Sequence, residues 1–134
     1  MPISRINPPS LYDSVGYGFS HATLQEGGRT LYLAGQVAWD ATGEVVGPGD
    51  LAAQTRQVLA NLKAVLAEVG ATPADIVALR TFVVDHRPDK LGIVLPEIGA
   101  FYAGAAPAPN TFIGVAALAL PEFLIEIEAT AAVG

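Results

Sequence analysis

The sequence predicts an α+β domain in which one mixed β-sheet is backed by two helices, most simply on one face. Residues 51–69 place apolar side chains three and four positions apart, which is typical of an amphipathic helix. Segments on both sides of this helix alternate apolar and polar side chains, which is typical of strands. The resulting order is β-β-(β)-α-β-α-β-β, and a chain of 134 residues is long enough to bury a core. We therefore expect a single domain over residues 1–134.

The first third of the chain is predicted to be mostly β. Residues 1–16 are polar and contain prolines, so an irregular N-terminal arm is expected there. Strands are predicted over residues 18–24 and 30–37, and the second of these has the clearer alternation. A turn at residues 40–43 then precedes a short strand at 44–46.

The helix over residues 51–69 has signals at both of its ends. Asp50 is expected to cap the first turn, and Gly70 is expected to end the helix in the left-handed conformation that glycine adopts without strain. The apolar stripe consists of Leu51, Thr55, Val58, Leu62, Val65 and Val69. Packing on a sheet explains this pattern, so we assign the helix no chemistry.

A strand and a second helix are predicted to follow. Residues 72–75 form a single capped turn, and residues 76–84 are rich in strand-forming side chains. The second helix is predicted over residues 91–103. Pro96 must lie in its first turn or mark its true start, because proline removes a hydrogen bond from a helix interior.

Two strands close the chain, over residues 107–115 and 123–129. In the second strand Phe123, Ile125, Ile127 and Ala129 point to one face, and Leu124, Glu126, Glu128 and Thr130 point to the other. Glu126 and Glu128 therefore share a face. That face is either a solvated surface or the lining of a cleft in which one carboxylate does proton chemistry.

Other polar residues allow both a structural and a functional interpretation. Asn110 follows two prolines, where it either caps a loop or projects at the sheet edge. His21 is either a structural residue or a functional titrating group. Arg80 is expected to form a buried ion pair with Glu126 or Glu128, the alternative being a cation in a site. His86 is predicted to be a solvated loop residue, and two histidines with no cysteine predict no metal site.

Composition limits the classes of partner. Charged residues make up 15% of the chain against about 25% in a typical domain, so part of the surface is expected to be buried in a homo-oligomer. The net charge of −6 and the scattered basic residues argue against nucleic-acid binding. There is no signal-peptide pattern and no run of about 18 apolar residues, so we expect a cytoplasmic protein that does not enter a membrane.

Four motifs, taken together and in order, resemble the Rid family of reactive intermediate deaminases, also called YjgF-type or L-PSP endoribonuclease-like proteins. They are residues 30–37 (TLYLAGQV), the helix segment 57–66 with Gly70-Ala71 after it, the strand start at 75–77, and residues 125–129 (IEIEA). The resemblance covers roughly residues 17–133. It implies a chorismate-mutase-like domain in a homotrimer whose sheets face inward as a barrel, with sites in the clefts between subunits.

The resemblance also implies a chemistry and a set of residues. The best-known members hydrolyse imines and enamines released by pyridoxal-phosphate enzymes, and an arginine clamps the substrate carboxylate with two hydrogen bonds. That arginine aligns with Asn110, so this chain resembles a branch without the clamp. The residues that the resemblance implies are Glu126 as the catalytic acid or base, and Asn110, Thr111, Phe19, His21 and Gly35 as the lining of the pocket.

The expected function is hydrolysis or deamination of a small imine-like, enamine-like or related carbonyl–nitrogen compound. Without the arginine, the ligand is expected to be neutral, an amide, or anchored elsewhere. The alternative is a non-catalytic trimer that binds a small metabolite in the same cleft. RNA cleavage, suggested by the older family name, is disfavoured by the acidic balance, and chorismate mutase activity by the lack of evident cationic site residues. No cofactor is expected.

Overall fold

The computed structural model describes residues 2–134, which form six strands and two helices. In chain order they are β1 (Ile3–Ile6), β2 (Ala22–Gln25), β3 (Arg29–Gln36), α1 (Leu51–Ala67), β4 (Ile76–Val84), α2 (Leu91–Phe101), β5 (Asn110–Val115) and β6 (Ile125–Val133). Four of the strands form the main sheet in the order β3-β6-β4-β5. Strand β6 runs antiparallel to β3 and β4, whereas β5 runs parallel to β4. The predicted α+β class, with two helices packed on a mixed sheet, is confirmed.

The two faces of the main sheet differ in what covers them. Ile125, Ile127 and Ala129 of β6 are buried in the core that α1 and α2 complete, and we call their side the helix face. The intervening Glu126 and Glu128 are only partly buried, as the predicted alternation requires. Their side of the sheet carries neither helix, and we call it the open face.

The N-terminal segment is more ordered than its composition predicts. Residues Ile3–Ile6 pair with Ala22–Gln25 in a separate two-stranded sheet, so the prediction of an irregular arm is wrong for these residues. Arg5 explains the order, because its guanidinium donates hydrogen bonds of 2.7 Å to the Thr23 hydroxyl and to the Ile76 carbonyl. These partners are remote in sequence, so local composition does not reveal them.

Three other predicted boundaries also change. The early strand predicted at 18–24 begins only at Ala22, because residues 15–17 form a short 3-10 turn that Gly18 ends with φ 87°. The strand predicted at 44–46 is reduced to a single bridge between Val45 and Trp39. Helix α1 ends at Ala67, slightly earlier than predicted.

The ends of α1 follow the sequence signals. The Asp50 carboxylate accepts a hydrogen bond of 3.0 Å from the Ala53 N–H, which confirms the predicted cap. Gly70 takes φ 70° just beyond the helix, in the left-handed region that favours glycine.

Helix α2 contains a proline in its interior. Pro96 lies five residues after Leu91, so the prediction that it sits in the first turn or starts the helix is wrong. Pro96 has no N–H to donate to the carbonyl of Gly92, which weakens the helix locally. Burial of Val94 and Ile98, at 0% and 1% exposure, stabilises α2 despite that loss.

Tyr102 makes the stability of this fold depend on pH. Its hydroxyl oxygen accepts a hydrogen bond of 3.1 Å from the Ala108 N–H, and burial raises the pKa of Tyr102 to about 12. An unfolded tyrosine loses its proton near pH 10, so between pH 10 and about 12 unfolding releases a proton that the folded chain retains. The stability contributed by this group is complete below pH 10 and is lost as the pH rises towards 12.

Between pH 10 and about 12, we expect the ionisation of Tyr102 on unfolding to lower the free energy of unfolding by about 2–3 kcal/mol. Tyr102→Phe should abolish this part of the decline. Near neutral pH the variant should be about 1–3 kcal/mol less stable, because the buried Ala108 N–H loses its acceptor. Urea unfolding in steps from neutral pH to about pH 12 measures both effects. Tyr17→Phe, at a tyrosine that is 64% exposed, is the control and should match wild type. Equal pH slopes for Tyr102→Phe and wild type would contradict the assignment.

Candidate functional site

A cleft of about 460 Å³ lies between the segment before β2, the start of α2 and the edge strand β5. Its lining residues are Tyr12, Tyr17, Phe19, Leu91, Leu95, Asn110 and Phe112. None of these seven side chains carries a charge, and four of them are aromatic. We call this space the aromatic cleft, and it suits a largely apolar ligand with few polar groups.

Hydrogen bonds between separate segments of the chain hold the walls of the aromatic cleft together. The Ser20 N–H donates to the Ala108 carbonyl at 3.2 Å, which brings Phe19 beside the start of β5. The Asn7 side-chain oxygen accepts from the His21 N–H at 2.8 Å and from the Ser14 hydroxyl at 3.2 Å. The segment that contains Tyr12 and Tyr17 is therefore anchored, although most of it is neither helix nor strand.

His21 lies next to the cleft rather than in its lining. The Tyr12 ring meets the His21 ring edge-on with centroids 4.7 Å apart, and the Phe19 ring meets it at 5.9 Å. His21 Nε2 lies 2.9 Å from the Tyr12 carbonyl oxygen. Since that oxygen can only accept, the ring carries a proton on Nε2 and helps to hold Tyr12 in place.

Asn110 supplies the one amide side chain of the aromatic cleft. It begins β5 opposite Leu79 of β4, so its side chain lies on the helix face of the sheet. The Asn110 Oδ1 accepts a hydrogen bond of 3.0 Å from the hydroxyl of Thr81, which is completely buried. The Asn110 Nδ2 group, in contrast, donates no hydrogen bond to any group in residues 2–134.

Glu126 lies on the other side of the sheet. It pairs with Phe82 across β4 and β6, on the open face. A Cβ atom added at Gly35 would lie 2.9 Å from Glu126 Cδ and 3.0 Å from Cγ, so the carboxylate rests directly against the glycine backbone. Gly35 itself falls where the pairing of β3 with β6 shifts register. A larger residue at position 35 would displace the Glu126 side chain.

The two glutamates of β6 have different partners. Arg80 forms an ion pair with Glu128, which confirms the predicted pairing with one of the two carboxylates, but both side chains are partly exposed, so the prediction that the pair is buried is wrong. Glu126 has no ion-pair partner anywhere in the described chain. Its carboxylate thus keeps its lone pairs for a ligand or a water molecule.

The predicted site residues fall into two groups within one chain. Phe19 and Asn110 line the aromatic cleft with His21 beside it, whereas Gly35 and Glu126 meet on the open face. Thr111, opposite Arg80 on β4, is exposed on the open face near the sheet edge. The main sheet separates the two groups, so a single chain does not bring Asn110 and Glu126 together.

Several lining residues had no signal in the sequence. Tyr12 and Tyr17 lie in or just after a segment predicted to be irregular, and Leu91 and Leu95 match an ordinary apolar helix face. His86 also differs from its prediction as a solvated loop residue. Its ring packs on the Phe112 ring with centroids 4.9 Å apart, and its Nδ1 is buried without a hydrogen-bond partner in the described part of the chain.

Residues 2–134 contain neither a metal-binding cluster of side chains nor a helix that could span a membrane. No three side chains of histidine, aspartate or glutamate converge there in an arrangement that could hold a metal ion. Neither helix in this range has the length and apolar character that crossing a bilayer requires.

Comparison with known protein sequences finds relatives along nearly the whole chain. A family model described as endoribonuclease L-PSP matches residues 15–133. A RutC family protein of Pyrococcus horikoshii is 36% identical over 105 residues, which span 78% of this chain and 79% of that protein.

Comparison with solved structures finds the same fold. YyfB of Yersinia pestis, described as a protein of unknown function of the conserved Rid family, is 64% identical. The match covers 99% of this chain and 100% of that one, with a TM-score of 0.97. E. coli TdcF with bound serine is 26% identical over 81% of this chain and 83% of that one, with a TM-score of 0.70.

Proposed function

This chain belongs to the Rid family, also called the YjgF or L-PSP endoribonuclease family, and on that premise we propose that it hydrolyses or deaminates a small imine, enamine or related carbonyl–nitrogen compound. The observation that carries the proposal is the carboxylate of Glu126. It rests on the backbone of Gly35 without an ion-pair partner among residues 2–134, while its neighbour Glu128 is paired with Arg80. An unpaired carboxylate on a rigid strand is suited to moving protons.

The reaction needs one group that can both accept and return a proton. Water adds to the carbon of the C=N bond, and Glu126 accepts a proton from that water as the new C–O bond forms. Glu126 gives that proton to the nitrogen, which yields a carbinolamine, and then moves the remaining hydroxyl proton to the same nitrogen as the C–N bond breaks, so that a carbonyl compound and ammonia leave. Each imine consumes one water molecule, and no electrons are gained or lost. Positioned acid–base catalysis of this kind contributes about 10²–10⁴-fold in rate.

A homotrimer would bring the two groups of site residues to one seam between neighbouring subunits. Strands β3 and β5 are the two edges of the main sheet, and each edge has unpaired backbone groups. In a closed ring of three copies, the β3 edge of one subunit meets the β5 edge of the next. Gly35 and Glu126 lie towards the first edge, and Asn110 and Thr111 lie on the second. The open face would then turn inward, which would cover Tyr32, a tyrosine that is 80% exposed in one chain.

The side chain at position 110 restricts the charge that the substrate can carry. Other family members are expected to hold a substrate carboxylate with an arginine here, whereas Asn110 has no charge. A carboxylate in the uncharged aromatic cleft would lose its hydration without gaining a cation. The proposed substrate therefore has no free carboxylate at this point.

Two imines made in place by oxidases test the proposal. A flavin-dependent amine oxidase converts benzylamine to an imine without a carboxylate, and an amino-acid oxidase converts alanine to 2-iminopropionate. Trapping the remaining imine with semicarbazide reports how fast each disappears. We expect the protein to accelerate hydrolysis of the first imine and not of the second. Acceleration of neither, in a sample that binds small amides, would favour the non-catalytic metabolite binder.

Gly35→Ala should lower turnover much more than it lowers stability. The added methyl group would displace the Glu126 carboxylate, and a misplacement of about 1 Å can cost about 10²-fold in rate. The free energy of unfolding should change by less than about 1 kcal/mol, because the partly exposed glutamate can rotate away. Kinetics and urea unfolding of the same preparation measure the two effects.

Gly99→Ala is the matched control for this substitution. Gly99 lies in α2, and a Cβ added there meets no atom within 4 Å. This variant should keep wild-type turnover. Normal turnover in Gly35→Ala would show that the contact between Gly35 and Glu126 has no part in the reaction.

A further inference from the structure

We propose that the aromatic cleft binds the substrate through an uncharged carbonyl oxygen beside an apolar group, and that the buried Thr81 is the positioning residue that presents the Asn110 amide to that oxygen. The inference rests on the proposed function, because it takes the bound molecule to be the substrate of that site. It deepens the proposed function by naming the substrate class, an imine whose neighbouring group is an amide, ester or ketone in place of a carboxylate.

The hydrogen bond between Thr81 and Asn110 determines which end of the amide is available. Thr81 is completely buried, and its hydroxyl proton needs an acceptor. The Asn110 Oδ1 is that acceptor, at 3.0 Å. With the oxygen engaged on the protein side, the Nδ2 group is left on the cleft side with both of its N–H donors. Those donors can bond to an oxygen of the ligand, but they cannot bond to a cationic ammonium group, because it has no lone pair to accept them.

The walls of the aromatic cleft favour the same class of ligand. Phe19 and Phe112 supply flat apolar surface next to Asn110, and Leu91 and Leu95 close the side formed by α2. A charged group placed among these side chains has no counter-charge in the lining, so its lost hydration is not offset. A neutral carbonyl group loses less hydration and regains a hydrogen bond from Asn110.

The cleft also has room for a ligand of this kind. A volume of about 460 Å³ lies within the range of pockets that take small organic molecules. One ring can lie against Phe112 while a short polar arm reaches Asn110. A ring and a carbonyl oxygen are therefore the two features that a probe must carry.

Three probes of one shape and different charge test the inference by binding alone. Benzamide is neutral and has a carbonyl oxygen, benzoate carries a negative charge, and benzylamine is a cation at neutral pH. Titration followed by NMR, with the side-chain amide signals of Asn110 assigned, reports both affinity and location. We expect benzamide to bind at least about tenfold more tightly than the other two probes, and to shift the Asn110 signals.

Two substitutions at one position separate positioning from folding. Thr81→Val keeps the shape of the side chain and removes the hydroxyl, so we expect benzamide affinity to fall about five- to tenfold. Thr81→Ser keeps the hydroxyl and should stay within about twofold of wild type. In Thr81→Val only, the NMR signals of the Asn110 side-chain amide should also show that this amide has lost its fixed orientation. A merely structural role of Thr81 would not produce that change.

The inference and the proposed function fail in different ways. Benzoate binding as tightly as benzamide, no benzamide shifts at Asn110, or unchanged benzamide affinity in folded Thr81→Val would each overturn the inference. Imine hydrolysis could still be accelerated in those cases. Selective benzamide binding that depends on Thr81, without acceleration of any imine, would support the cleft assignment and overturn the enzymatic proposal.

Discussion

Glu126→Gln is expected to lower hydrolysis of the benzylamine-derived imine by about 10²–10⁴-fold. Glutamine keeps the length and shape of the side chain, so it fills the same space against Gly35. It cannot accept a proton from the attacking water, and the reaction is left with bulk water as its base. Stability should change little, since Glu126 has no ion-pair partner among residues 2–134 to lose. The rate of imine loss, measured with semicarbazide, gives the result.

Glu128→Gln is the matched control, because it lies on the same strand and the same face two residues later. It breaks the ion pair with Arg80, in which both side chains are partly exposed, so we expect a cost of no more than about 1 kcal/mol in stability. Turnover should remain within about threefold of wild type. Equal losses in the two variants would show that the face needs its charge and not a proton acceptor at position 126.

Asn110→Arg is expected to create activity on 2-iminopropionate that wild type lacks. A guanidinium can hold the substrate carboxylate with two parallel hydrogen bonds, which asparagine cannot do. A desolvated charge pair of this kind is worth about 2–5 kcal/mol, or a factor of roughly 30 to several thousand in kcat/KM. The in situ assay with alanine and an amino-acid oxidase measures it.

Asn110→Lys tests whether charge alone is enough. Lysine places one compact charge at the site without the planar fork of arginine, so the gain should be clearly smaller. Hydrolysis of the benzylamine-derived imine should not improve in either variant, since that imine has no carboxylate to hold. If Asn110→Arg folds and shows no gain on 2-iminopropionate, position 110 does not face the substrate carboxylate.

Much of the fold could be predicted because its signals are local. The period of the apolar residues in α1, the cap at Asp50 and the glycine at position 70 depend on neighbours within a few residues. The alternation along β6 has the same local character, and it correctly separated the buried Ile125 and Ile127 from the glutamates between them.

The predictions fail where contacts between residues distant in sequence determine the local structure. Strand β1 is a stretch of four residues that Arg5 ties to Ile76, 71 residues away. Pro96 is tolerated inside α2 because Val94 and Ile98 are buried against the rest of the domain. Similarly, Tyr12 belongs to the aromatic cleft through anchors at Asn7 and Ala108 that no local pattern shows.

The sequence by itself determined the family, the α+β class and the face of β6 on which Glu126 lies. These properties follow from ordered motifs and from the period of two along a strand. Only the tertiary structure decided which candidate residues meet. The register of β4 with β5 turns Asn110 to the helix face beside Phe19, which places it across the sheet from Glu126. Strand pairing is a contact between distant segments, and a shift of one residue would have exchanged these faces, which is why the sequence alone could not divide the site in two.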